Sequence, residues 1–62
     1  MPPGLYRVIY DFEAETEHEL TVVVEDQVRV VGSVEGGWAV GFKESDGKEG
    51  LVPAGYLEWI GE

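Results

Sequence analysis

Three features of the sequence predict an all-β fold, a sandwich or small barrel of about five short strands. β-Branched and aromatic residues alternate with polar ones in short runs such as RVIYDF, QVRVVG and WAVGFKE. Turn-forming residues separate those runs at near-regular spacing, and helical signals are nearly absent. At 62 residues the chain is one small domain. Such a domain buries only about 60% of its unfolded surface, so its core is modest.

RVIYDF (7–12) sets Val8, Tyr10 and Phe12 on one face of a first strand. ELTVVV continues as a strand after an acidic stretch, with Leu20, Val22 and Val24 alternating against Thr21 and Val23. In QVRVVG, Val28 and Val30 oppose Gln27 and Arg29, and WAVGFKE, GLVP and LEWI complete the set. Glu25-Asp26, the GSVEGG loop, SDG (45–47) and PAGY punctuate them. ESDGK, between WAVGFK and EGLVP, signals a hairpin in which Gly47 supplies a positive φ. Pro53 must end its strand, having no N–H for the ladder. PAGY is too short for an α-helix and fits a single 3₁₀ turn. The expected core is Val8, Leu20, Val22, Val28, Val30, Val52 and Leu57, with Gly41 where strands crowd and Trp59 against the first strand. Residues 5–61 form the domain, and MPPG (1–4) is a tail or a cloning remnant.

Thirteen acids against four bases give a formal charge of −9. A surface this acidic repels phosphate backbones, so nucleic acid and anionic lipid are poor partners and a basic partner is the complement. A hydrophobic content of 44% argues against an acidic disordered tail. The absence of cysteine excludes a disulfide framework and a Cys-based zinc site, which suits a cytoplasmic location. No apolar run approaches the roughly 20 residues of a membrane span, and nothing at the N-terminus reads as a signal peptide, so direct membrane insertion is not expected.

The acids of DFEAETEHEL fall at Asp11, Glu13, Glu15, Glu17 and Glu19, every second residue. In an extended chain they share a face, and neighbours about 7 Å apart repel by roughly 0.6 kcal/mol even at the dielectric of water. A fold does not need such a row. It lacks the central glycine and ligand spacing of a calcium loop, and GSVEGG has no following helix to make a phosphate loop. His18 is the lone histidine, most simply a solvated loop residue, and Ser33 and Ser45 are the only serines. No acid–base or nucleophile pair is in view, so no enzyme, cofactor or metal is expected. What remains is a large aromatic complement: Tyr10, Phe12, Trp38 and Tyr56, with Pro53. Phe12 alone is readily a core residue, but Trp38 directly follows a flexible Gly36-Gly37 turn. Tyrosine and tryptophan line binding surfaces with a polar edge outward.

VIYDF (8–12) resembles the ALYDY signature of SH3 domains. EL (19–20), Trp38 after GG, GLVP (50–53) and PAGY (53–56) follow in that family's order and spacing. The resemblance implies a five-stranded, partly open barrel of two orthogonally packed antiparallel sheets. It also implies a non-catalytic module, monomeric in isolation, that binds proline-rich PxxP segments in polyproline II conformation within a signalling or cytoskeletal scaffold. Polyproline II repeats every three residues and exposes its carbonyls, so aromatic slots suit its ridges. By the resemblance, Tyr10 and Tyr56 frame one slot, and Phe12, Trp38, Pro53 and Tyr56 frame the next. A third pocket, between Trp38 and the acidic RT loop, takes the ligand's Arg or Lys on Glu17 and Glu19, with Asp11, Glu13 and Glu15 widening the field. Leu51 belongs to the same surface, at a position that is often aromatic.

Phe12 replaces the second tyrosine of the signature, and Gly55 stands where an asparagine often meets the peptide. Glu25 replaces the glycine of the diverging turn, where a left-handed residue costs about 1–2 kcal/mol. These departures leave a groove dominated by apolar contact. The competing reading is an SH3-like barrel that docks a folded partner outside the groove, with Val23 and Val31 on the surface.

Overall fold

Side chains alternate in and out along GLYRV, WAVGF and the start of QVRVVGSV, and antiparallel hydrogen bonding joins five strands. The computed structural model describes all 62 residues. The strands are β1 (Gly4–Val8), β2 (Gln27–Val34), β3 (Trp38–Lys43), β4 (Glu49–Pro53) and β5 (Leu57–Gly61), with a 3₁₀ turn at Ala54–Tyr56. They form one antiparallel ladder in the order β4-β3-β2-β1-β5. The all-β class, the strand number and the 3₁₀ turn are as the sequence predicts. A register shift between Val30 and Gly32 marks a bulge in β2, the kind of irregularity that bends a strand. No helix is long and apolar enough to cross a membrane.

The core holds Tyr6, Val8, Leu20, Val22, Val28, Val30, Ala39, Val52 and Leu57. All seven expected residues are among them. Tyr6 and Ala39 are additions, and the Tyr6 hydroxyl is satisfied by donating to the Pro2 carbonyl at 2.6 Å. Crowding at Gly41 is real: a Cβ there would lie 2.5 Å from the Arg29 carbonyl oxygen. Trp59 packs edge-to-face on Tyr6, with ring centroids 5.4 Å apart. Val30 is 1% exposed, so Val30→Ala should lower stability by about 1–3 kcal/mol in urea titration and leave ligand affinity of the folded protein unchanged.

One expected strand is shorter than its sequence pattern and another does not form. RVIYDF leaves the ladder after Val8, and ELTVVV is not a strand. The chain between them is a long loop whose arms meet in one isolated antiparallel bridge, Phe12 with Val22. Leu20 and Val22 keep the inward parity, but the pattern breaks at Val24, which is 47% exposed. The cause is a tight turn. Asp26 Oδ2 accepts from the Val23 N–H at 2.9 Å, the Asp26 N–H returns to the Val23 carbonyl, and Glu25 takes a left-handed φ of 79°. Glu25 therefore keeps the backbone geometry that glycine normally supplies.

The same loop covers the outer edge of β4. Leu20 N–H donates to the Leu51 carbonyl and Leu51 N–H to the His18 carbonyl, each at 2.9 Å. An otherwise open row of backbone groups is thereby closed.

Candidate functional site

Three structural joints bring the aromatic residues together. Ile9 N–H donates to the Tyr56 carbonyl at 2.8 Å, seating the 3₁₀ turn beside the start of the loop. Gly36 and Gly37 adopt φ of 96° and 84°, which lets the chain reverse between Val34 and Trp38. Ala54 N–H then donates to the Gly37 carbonyl at 2.8 Å, and Trp38 pairs with Pro53 across β3 and β4. Residues on opposite sides of such a rung share a face of the sheet.

The result is a chain of edge-to-face rings. Tyr10 meets Tyr56 at a centroid distance of 5.6 Å, Tyr56 meets Phe12 at 5.9 Å, and Phe12 meets Trp38 at 5.9 Å. The interplanar angles run from 69° to 88°, so the walls of the expected slots are tilted against each other instead of parallel. Tyr10 is 60% exposed, while Phe12, Trp38, Pro53 and Tyr56 are half-buried. Phe12 and Tyr56 also rest on the core, so the floor of this surface is rigid. Gly36 lies under the indole: a Cβ there would be 3.4 Å from Trp38 Cδ1.

The acids separate into different roles. Asp11 Oδ1 accepts from the Val24 N–H at 2.8 Å and ties the loop base to the tight turn, a role the sequence did not suggest. Glu19 is half-buried, and its Oε1 accepts from the Glu15 N–H at 2.8 Å, so one of its oxygens shapes the loop. Glu13, Glu15 and Glu17 are exposed, and their carboxylates have no hydrogen-bond or ion-pair partner. His18 is exposed; its N–H donates to Thr16 Oγ1. Leu51 is bridged to Glu19 and paired with Val40.

The basic residues lie elsewhere. Arg7 pairs with Glu25 and Glu58, Arg29 with Glu44, and Lys43 with Asp46. The hydrogen bond and charge of Glu58 raise the Arg7 pKa, keeping that guanidinium charged. The Lys48 N–H bond, with Lys43 and Lys48 nearby, lowers that of Asp46 in the β3–β4 hairpin. Asp11, Glu13, Glu15, Glu17, Glu19 and Glu35 pair with no base, which leaves the loops around Trp38 with uncompensated negative charge. A hollow of about 360 Å³ opens at the far end of the barrel, lined by Glu25, Asp26, Gln27, Glu44 and Ser45. None of these five residues is hydrophobic, and no aromatic ring lines it.

Comparison with known proteins decides the family. The SH3 domain model matches residues 7–54. The chain belongs to the SH3 domain family. Over 54 residues it is 41% identical to the LIM and SH3 domain protein Lasp of Drosophila melanogaster, a match covering 87% of this chain and 8% of that protein. The SH3 domain of yeast NBP2 superposes with a TM-score of 0.87 at 35% identity, over 92% of this chain and 97% of that one. The C-terminal SH3 domain of Myosin IB from Entamoeba histolytica, bound to an EhFP10(GEF) peptide, gives a TM-score of 0.84 at 27% identity, over 97% of each chain. As an SH3 domain, the chain is a protein-interaction module of a family without catalytic activity.

Proposed function

We propose that this SH3 domain binds proline-rich segments carrying an Arg or Lys, with Tyr10, Phe12, Trp38, Pro53 and Tyr56 as the proline surface and Glu17 as the main carboxylate for the base. Glu19 contributes its remaining oxygen, and Leu51 flanks the pocket. The observation that carries this reading is the placement of an unbroken run of aromatic rings beside six acids that no base of the protein neutralises. The rings offer a preformed apolar surface to a ligand already extended, so little conformational entropy is lost on binding. The unpaired carboxylates attract a guanidinium and hold it by charge-assisted hydrogen bonds. Gly55 and Phe12 remove two polar contacts, so affinity rests on ring packing and charge, at about micromolar strength.

The module works as a monomer inside a cytoplasmic signalling or cytoskeletal scaffold, without cofactor or catalysis. That setting is supported by a neighbour that is part of a myosin and is bound to a peptide. Arrayed proline-rich peptides, with one Arg or Lys moved stepwise along the sequence, test the proposal. Binding should require both the proline spacing and a base at one flank. Equal binding by peptides without a base would remove the acidic pocket from the account.

A further inference from the structure

Thr16, Thr21, Ser33 and Ser45 carry the aliphatic hydroxyls of the chain, and the fold sets one of them apart. Thr21 Oγ1 accepts from the Ala14 N–H at 3.0 Å, and three valines follow it. Ser33 lies in the ladder of β2, opposite Ala39. Ser45 is exposed, but Lys43 and Lys48 flank it. Thr16 lies in the exposed run Glu15–His18 at the loop tip, outside every strand. Glu13 and Glu15 precede it, Glu17 and Glu19 stand one and three residues after it, and no Lys or Arg lies within eight residues. Its bonds are few. Oγ1 accepts from the His18 N–H at 3.2 Å, and the Thr16 carbonyl accepts from the Glu19 N–H at 3.2 Å. Exposed loop bonds of this kind open locally at little cost, so the tip can extend into an enzyme's cleft.

We propose that Thr16 is a phosphorylation site for an acid-directed serine/threonine kinase, and that the phosphate strengthens capture of the ligand's base. The effect on binding rests on the groove reading above. Kinases select substrates by charge pattern, and acids on both sides of a hydroxyl suit a basic cleft. ATP is the phosphoryl donor. The Thr16 hydroxyl oxygen bonds to the γ-phosphorus as the bond to the ADP oxygen breaks, and the hydroxyl proton passes to a carboxylate of the kinase. The product carries about −1.5 to −2 charges at pH 7 and three acceptor oxygens. One oxygen can keep the His18 N–H, which leaves the others for a base. Thr16 immediately precedes Glu17, so the new charge adds to the field that draws the ligand's Arg. Repulsion from Glu15 and Glu17 opposes it, but all three residues are exposed and water screens them.

Incubation of the domain with ATP and a purified kinase of this specificity, followed by mass spectrometry, should find a single phosphoryl group, on Thr16. Thr16→Ser keeps an acceptor and should be modified, Thr16→Val should not, and Glu19→Gln should slow the transfer several-fold. Calorimetry then compares the modified and unmodified domains, using one proline-rich peptide with a single Arg and one with two adjacent Arg. At about 0.01 M salt the single-Arg peptide should bind the phosphorylated domain about threefold tighter, as a double charge roughly 10 Å away requires. The two-Arg peptide should gain about tenfold, because its second guanidinium can bond the phosphate directly. Both gains should shrink as salt rises. Thr16→Val, carried through the same incubation, should bind both peptides as the unmodified domain does. Transfer to Ser45, or to no residue, would overturn the site. Transfer to Thr16 with affinity unchanged or weakened would overturn its role in binding while the groove stands. Failure of the unmodified domain to bind either peptide would overturn the groove reading and the effect on binding with it.

Discussion

Trp38→Ala abolishes proline-rich peptide binding and leaves the domain folded. The indole is half-buried at the start of β3 and lies outside the nine-residue core. Its contact with Phe12 is one edge-to-face pair, worth about 0.5–1.5 kcal/mol beyond the area it buries. Its loss from the ligand surface is larger. An anchoring tryptophan in a small interface carries about 3–4 kcal/mol, enough to move a micromolar affinity to near millimolar. Val30→Ala provides the opposite case, with stability lowered and binding retained. Titrations of both variants beside urea unfolding would separate the groove from the core. A Trp38→Ala protein that unfolds would place the indole in the core and remove the anchor.

Replacing Glu17 and Glu19 by Lys weakens an Arg-bearing peptide by about tenfold to several-hundredfold, since each charge-assisted contact in a half-exposed pocket is worth about 1–2 kcal/mol. The Glu19 carboxylate also holds the Glu15 N–H, so Glu19→Gln, which keeps an accepting oxygen, isolates its charge from its role in the loop. Lys at Glu13 and Glu15 should weaken binding several times less, through a field that salt screens over about 10 Å at 0.1 M. Wild-type affinity should fall as salt rises, and the Glu17/Glu19 variant should lose most of that dependence. Equal losses from the two pairs would reduce the acidic row to a diffuse field without a pocket.

The core was legible because it depends on parity. Val8, Leu20, Val22, Val28, Val30, Val52 and Leu57 keep the side their pattern assigns, whether or not their segment joins the ladder. Strand extent was not legible in the same way. ELTVVV has the composition of a strand, but one bridge to Phe12 and the side-chain bonds of Asp11 and Asp26 hold it as loop and turn. The Asp11 bond and the Phe12–Val22 bridge depend on which residues face each other across the fold, which a local pattern does not specify. The aromatic site could be read because its residues are chemically conspicuous and one follows a glycine pair. The division of labour among the acids could not, since Asp11, Glu17 and Glu19 differ only in the backbone groups placed near them.

Nuclear magnetic resonance of the nitrogen-labelled domain, titrated with an Arg-bearing proline-rich peptide, tests the central claim most directly. The account expects the largest shifts at the Trp38 indole N–H and at the amides of Tyr10, Phe12, Glu17, Ala54 and Tyr56, with Val23 and Val31 unmoved. Shifts centred on Val23 and Val31, with the Trp38 indole unchanged, would contradict it and assign binding to a surface outside the groove.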